Sequence, residues 1–430
     1  MGHIEQTRAT AEPSLGEATR VWLRIGLLSF GGPAAQIALM HNEIVEERAW
    51  LSEQQYLNAL SFCMLLPGPE AMQLATYAGW RLHGTLGGLI AGLLFVLPGA
   101  FVIMALATIY SLFGDVPLVD ALFYGIKAAV LVVVVEALLR VSKKALSAQL
   151  HWIIAGLAFF GIFFLSVPYP LIVAFAACWG WFLCDEEAIT VEIKPVSVSF
   201  GRTLSTGAIW LAVWAAPFVV LAVFEANAFL LQLGAFFSQL AVVTFGGAYA
   251  VLAYMAQDVV VDFGWLTAVE MVDALGLAET TPGPLILVTQ FVGFLAGFQE
   301  GGLWLGFLAA IVALWVTFAP CFLWIFAGAP YIDWISERPR LRSALKAITA
   351  AVVGVILNLS LWFALHVLFS EVQQESFGLV TLWSPNLASI EWLALALFGL
   401  SAFMAFWLHW GIIRVLAIAS VAGCTVSLLL

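Results

Sequence analysis

The string Ser29-Phe30-Gly31-Gly32 reappears as Thr244-Phe245-Gly246-Gly247, 215 residues later. At the same offset Met40 meets Met255, Trp50-Leu51 meets Trp265-Leu266 and Ala59-Leu60 meets Ala274-Leu275. Pro67-Gly68-Pro69 meets Pro282-Gly283-Pro284, with no gap over forty-one positions. After a one-residue slip Gly87-Gly88-Leu89 matches Gly301-Gly302-Leu303, and further on Lys127-Ala128 matches Lys346-Ala347. Trp, Gly and Pro held in register over this distance mark a duplication, each copy about 180 residues long. Any fold must therefore be built twice, and each copy must place Pro-Gly-Pro inside an apolar run.

Those runs decide the class. The 430 residues are 63% hydrophobic and 10% charged, against about a quarter charged in soluble domains. Runs near the length that crosses ~30 Å of hydrocarbon recur throughout. The expectation is an all-α polytopic membrane protein of about thirteen transmembrane helices, in contact with the lipid bilayer. The candidate spans lie near 21–40, 56–80, 84–110, 117–141, 151–166, 169–184, 206–224, 228–251, 268–295, 302–326, 344–369, 390–408 and 411–430. Residues 1–20 are polar, so no cleavable signal peptide is visible. A net charge of −11 does not suggest a nucleic-acid partner. The five cysteines form no C-x-x-C pair, no His-Glu-x-x-His spacing occurs and there is no P-loop, so no metal site, cofactor or direct ATP drive is implied.

Loop charge sets the expected orientation. With the N-terminus cytoplasmic, twelve of the sixteen Lys and Arg fall inside, while outer loops carry Glu225, Glu300, Glu371 and Glu375. Six spans per copy and one linking span, 206–224, then give two inverted-topology repeats. The expected division is a first repeat over 1–200, a linking helix over 201–226 and a second repeat over 227–430. Re-entrant Pro-Gly-Pro segments, with five spans per copy and parallel copies, are disfavoured because they put Arg140, Lys143 and Lys144 outside.

Proline in a helix interior costs roughly 3 kcal/mol, and a broken helix exposes backbone groups that lipid cannot satisfy. Such breaks are tolerated where they line a cavity, and helix N-termini there favour anions. Pro67, Gly68, Pro69, Pro282, Gly283 and Pro284 are therefore the expected substrate site. Gly31, Gly32, Gly246 and Gly247 add permissive backbone, and Ser29, Thr244, Thr280 and Thr281 add hydroxyl donors. Lys127 and Lys346, matched between copies, offer ammonium groups. Glu70, Glu136 and Glu279 are the candidate proton carriers. The plainer alternatives are kinks for the prolines, close helix packing for the glycines and snorkelling for the lysines. Matched interruptions in two copies favour a transport site over a kink.

The motifs SFGGPAAQI, LLPGPEAMQLATYAGW and GTLGGLIAGLLFVLPG in the first copy, with TFGGAYAVL and TTPGPLILVTQFVGF in the second, resemble the chromate ion transporter family. The resemblance covers both copies. It implies efflux of chromate across the bacterial inner membrane and hence chromate resistance. Ala248 departs from Pro33, and Leu285 from Glu70. The alternatives kept open are sulfate or another oxyanion as cargo and a non-transporting membrane scaffold. An enzyme would need a nucleophile–base constellation, and none is seen. A homodimer is left open.

Overall fold

The computed structural model describes residues 13–30, 32–113, 117–182, 200–224, 227–245, 248–332, 338–378 and 380–429. It is helical throughout except for one hairpin, β1 (Val372–Phe377) paired antiparallel with β2 (Val380–Pro385). The duplication shows in the local chemistry that starts and stops each helix. Ser52 and Gln55 form a capping box at the start of α3 (Glu53–Cys63), and Thr267 and Glu270 form its counterpart at α11 (Ala268–Thr280). Both helices end at Pro-Gly-Pro, where Gly68 (φ +118°) and Gly283 (φ +93°) adopt backbone that L side chains rarely reach.

Four of the thirteen expected spans are not single spans. Each is a pair of half-helices folded back at its break. In the first, α1 (Leu15–Leu28) stops at Ser29 and α2 (Gly32–His41) returns beside it. Arg24 Nε consequently lies 3.3 Å from Glu43 Oε1, and the Trp22 and Trp50 rings are 6.5 Å apart. One continuous helix would separate residues 24 and 43 by ~28 Å. In the second, α3 is followed by the first arm of α4 (Glu70–Phe113), and Gln55 and Asn58 share a cavity with Tyr77 and Arg81.

The second copy repeats this. α9 (Ala228–Val243) and α10 (Ala248–Gln257) fold together, with Gln239 Nε2 donating to Tyr254 Oη at 3.2 Å. α11 folds against the first arm of α12 (Val288–Gly328), with Gln299 Nε2 donating to Glu270 Oε1 at 2.7 Å. Hydropathy does not separate the two cases: a 20-to-28-residue apolar stretch broken in its middle reads the same bent by a few degrees or doubled back.

α4 and α12 also turn where the re-entrant arm meets the next helix. His83-Gly84 and Gly301-Gly302 leave helical geometry in the same way, with positive φ at Gly84 and Gly302. The kinks therefore match Gly84 to Gly302, not Gly87-Gly88 to Gly301-Gly302 as simple alignment suggests. Fifteen residues separate Pro69 from Gly84, but eighteen separate Pro284 from Gly302. The second copy carries almost one extra turn on this arm.

The other expected spans are single helices or the long second arms of α4 and α12: α5 (Pro117–Ala145), α6 (Gln149–Leu165), α7 (Tyr169–Phe182), α8 (Phe200–Val223), α13 (Pro339–Leu368), α14 (Trp392–Ala402) and α15 (Ile412–Leu429). By length and composition, segments 70–113, 201–223, 285–331 and 339–368 are long and apolar enough to cross a membrane. The copies are interleaved. α5 of the first packs against α14 and α15 of the second, while α13 of the second packs against α6 and α7 of the first. Gly125 lies against the Ala419 backbone and Gly354 against that of Ala155, so helices of different copies meet at backbone distance. The linker α8 packs along α12 and leaves Leu204, Ile209 and Val219 on the outside.

The first copy's second hairpin opens toward the end of the bundle where α8 begins and α12 finishes, because Gln55 and Arg81 share a cavity with Arg202 and Ile332. The second copy's first hairpin opens toward the end where α6 and α13 finish, because Gln257 and Asp262 share a cavity with Ser166 and Trp362. Doubling back puts the α2–α3 loop and the α4 kink on one face, whereas single spans would put them on opposite faces. With the five native cysteines replaced, E47C and R81C should react with an impermeant maleimide from the same side of the membrane. Labelling from opposite sides would restore the single-span arrangement.

Candidate functional site

The four breaks meet. Gly68 N donates to Thr244 O at 2.8 Å, and Gly283 N donates to Ser29 O at 2.8 Å. Each Pro-Gly-Pro is thus bonded to the Ser/Thr-Phe-Gly-Gly break of the other copy. Side-chain amides complete the contact: Gln36 Nε2 donates to Gly283 O at 2.7 Å and to Ser29 O at 3.3 Å, and Gln73 Nε2 donates to Pro67 O at 2.7 Å. The long helices close in behind. A Cβ on Gly99 would lie 2.2 Å from Pro282 O, and one on Gly68 would lie 3.0 Å from Cys321 Sγ. Gly99 and Cys321 each follow a proline, Pro98 and Pro320, so these prolines set helices against the breaks.

The expected site residues divide accordingly. Pro67, Gly68, Pro69, Thr281, Pro282, Gly283 and Pro284 lie together at the junction with Ser29 and Thr244. Gly31, Gly246 and Gly247 lie outside the described residues, and Gly32 opens α2 with φ +78°. The hydroxyls are not free donors. Ser29 Oγ donates to Ile25 O and Thr244 Oγ1 to Leu240 O, both at 2.6 Å. Thr280 Oγ1 donates to Leu277 O at 2.9 Å and Thr281 Oγ1 to Ala278 O at 3.3 Å. Each caps the last turn of its own half-helix, as hydroxyls do where helical carbonyls lose their partners. They turn lone pairs, not protons, toward a ligand in this conformation.

The charged candidates do not form one cluster, although Glu136 and Arg140 lie within electrostatic range of Glu279. Lys127 is not a free ammonium: its Nζ lies 3.3 Å from Asp273 Oδ1, and Tyr110 Oη donates to Asp273 Oδ2 at 2.8 Å. Lys346 is exposed near the start of α13 and does not join the junction. Glu279 is buried beside the second break and accepts from Tyr249 Oη at 2.8 Å. Glu136 is bonded to Arg140 at 2.6 Å on the exposed part of α5. Glu70 is the first residue of α4, where a carboxylate faces its own helix N-terminus. Ala71 and Met72, next along, are buried, and N–H groups in a first turn have no helical acceptor.

Gln36, Gln73 and Asp273 are the residues that sequence reasoning missed. Each amide had a signal: it sits four residues after a break residue, Gly32 or Pro69, on the same helical face. Asp273 had one as well, as an acid inside the apolar run that also holds Glu279. Its pairing with Lys127 joins α5 of one copy to α11 of the other, a contact no local pattern encodes.

Broken apolar helices from two copies, bonded to each other at their breaks, are the arrangement of a polytopic membrane transporter. The chromate transporter family model matches residues 16–181 and 231–424, and the chain belongs to that family. It is 30% identical over 343 residues to a probable chromate transport protein of Synechococcus elongatus, covering 80% of this chain and 83% of the relative. It is 32% identical over 343 residues to a chromate transport protein of Pseudomonas aeruginosa (78% and 77%), and 29% identical over 351 residues to one of Cupriavidus metallidurans (80% and 81%). No solved structure matches it.

Removing one member of a buried ion pair leaves the other uncompensated, at about 3–5 kcal/mol. Asp273→Ala should therefore lower the melting temperature in detergent clearly, and adding Lys127→Ala should recover part of the loss. Equal melting of wild type and D273A would show that the pair contributes nothing to stability.

Proposed function

We propose that this chain is a secondary transporter that exports chromate across the bacterial plasma membrane, with the anion crossing at the junction of the four breaks. The observation that carries this is the reciprocal bonding of Gly68 to Thr244 and of Gly283 to Ser29. Hairpins from two copies, opening toward opposite ends and bonded to each other at their tips, form a barrier that either copy can unseal by moving. That geometry supports two inverted-topology repeats, divided at the linking helix near residues 201–226 and exchanging access between faces. The end bearing Arg81, Arg202, Arg338, Arg340 and Arg342 is taken as cytoplasmic by the positive-inside rule, which places the N-terminus inside.

Opening frees the Gly68 and Gly283 amides, and these join the first-turn N–H groups as ligands for a tetrahedral oxyanion. The same opening releases Gln36 and Gln73 from the break carbonyls. Chromate is the cargo named for the relatives, and sulfate, with the same shape and charge, is its natural competitor.

Voltage alone can drive export. A transmembrane potential is worth about 2.3 kcal/mol per charge per 100 mV, so a dianion leaving a negative interior gains roughly 4.6 kcal/mol. Glu70, beside the first-copy site, and Glu279, beside the second, are the proton carriers if coupling exists. Glu136, paired with Arg140 on the exposed part of α5, is the weakest of the three.

Proteoliposomes holding the purified protein, given an imposed voltage and no pH gradient, should move chromate, and sulfate should compete. Flux only with a pH gradient would make protons obligatory; no flux under either condition would reject chromate transport. Pro69→Ala and Pro284→Ala should each reduce flux at least tenfold, about 1.4 kcal/mol, while the protein remains in the membrane. Normal flux in both would remove the breaks from the mechanism.

A further inference from the structure

The basic end of the bundle holds a cavity of about 530 Å³ that the junction does not use. It lies between α3, the first arm of α4, the start of α8 and the end of α12. Gln55, Asn58, Arg81, Arg202, Thr203 and Thr206 supply its polar wall. Among the described residues no acid lines it, and neither Arg81 nor Arg202 makes an ion pair. Two guanidinium groups therefore line one polar hollow. Tyr77, Trp80 and Phe326 form an apolar wall, and such walls focus the field of the arginines into the hollow.

Its position matters as much as its charge. Asn58 lies on α3 and Tyr77 on α4, the two arms of the hairpin whose tip is Pro67-Gly68-Pro69. Tyr77 is eight residues from Pro69, about 12 Å along the helix. The cavity is thus the mouth of that hairpin. The far end is different. Its cavity, about 180 Å³ beneath the β1–β2 hairpin, includes Asp262 in its lining and no Lys or Arg. Of these two cavities, the one at the basic end alone has Lys or Arg among its described lining residues.

We propose that this cavity is a loading site for a small tetrahedral oxyanion, held by Arg81 and Arg202 before it reaches the junction. The inference rests on the transport reading above and adds a site to it. Arg81 is carried on the last turn before the Gly84 kink and Arg202 on the first turn of α8, so the site joins the first copy to the linker. Guanidinium groups suit tetrahedral oxyanions because their N–H groups pair with two oxygens at once. The hydroxyls beside Arg202 are already engaged, Thr206 Oγ1 donating to Arg202 O at 2.9 Å and Thr203 Oγ1 pairing with Tyr331 Oη at 2.7 Å, so the guanidinium groups carry the site.

The same chemistry would also suit an anionic lipid headgroup at the membrane surface, so the test uses vesicles of phosphatidylcholine alone, with protein in uniform orientation. In R81Q/R202Q at low salt, the half-saturating chromate concentration for loading from the basic end should rise about tenfold, with maximal flux unchanged. Loading from the far end should be unaffected. The difference should vanish in 1 M salt, where the Debye length is about 3 Å. R81K/R202K, which keeps the charge, should recover most of the affinity and guards against misfolding as the cause. Unchanged half-saturation, an equal change from both ends, or an effect that needs added anionic lipid would overturn the proposal. Equilibrium dialysis of chromate against purified wild type and R81Q/R202Q separates this site from the transport reading. Weaker binding by the variant supports the site even if wild type shows no flux, and equal binding rejects it even if flux is normal.

Discussion

Backbone hydrogen bonds with nowhere to go organise this molecule. A helix broken inside a membrane leaves N–H and C=O groups that hydrocarbon cannot satisfy, each at a cost of several kcal/mol. Here the unsatisfied groups of one copy are the partners of the other. Gly68 needs an acceptor and Thr244 O supplies it; Gly283 needs one and Ser29 O supplies it. Gln36 and Gln73 then satisfy the proline and glycine carbonyls that remain. Neither copy can place its breaks at this depth without the other, so the duplication is a structural requirement of the chain as folded.

Interleaving follows from the same requirement. If the tips are to stay in register, the helices that carry them cannot drift apart. α5 sits among α11, α14 and α15 of the second copy, and α13 sits among α6 and α7 of the first. Small residues at the crossings let these helices approach at backbone distance, where packing is the main attraction between apolar helices in lipid. The Lys127–Asp273 pair lies within this interleaved layer and ties the second copy's α11 to the first copy's α5. A displacement of α11 that moved its tip would also have to move or break that pair.

Much of this was legible in the sequence. Pro-Gly-Pro in register in two copies marked the breaks, and the apolar runs marked almost every helix. The family resemblance lay in the same residues. What could not be read was direction after a break. Pro67–Pro69 stops a helix by local sterics, but whether the chain continues across or returns depends on what it meets on the other side. The hydroxyls misled for a related reason. Ser29 and Thr244 are donors by chemistry, yet each sits at a helix end whose carbonyls need protons, and the nearer acceptor wins. Lys127 was visible as a buried charge while Asp273, 146 residues away, was not visible as its partner. The extra residues in the second copy's arm were hidden because Gly87-Gly88 offered a plausible but wrong match for Gly301-Gly302.

The half-depth hairpins also bear on how the molecule meets an electric field. A polar hollow at each end of the bundle opens into a hairpin mouth, which shortens the low-dielectric layer that separates the two aqueous phases. A membrane potential falls mainly across whatever layer water does not enter. An anion crossing at the proposed junction would meet more of the voltage per ångström there than in a layer of full membrane thickness.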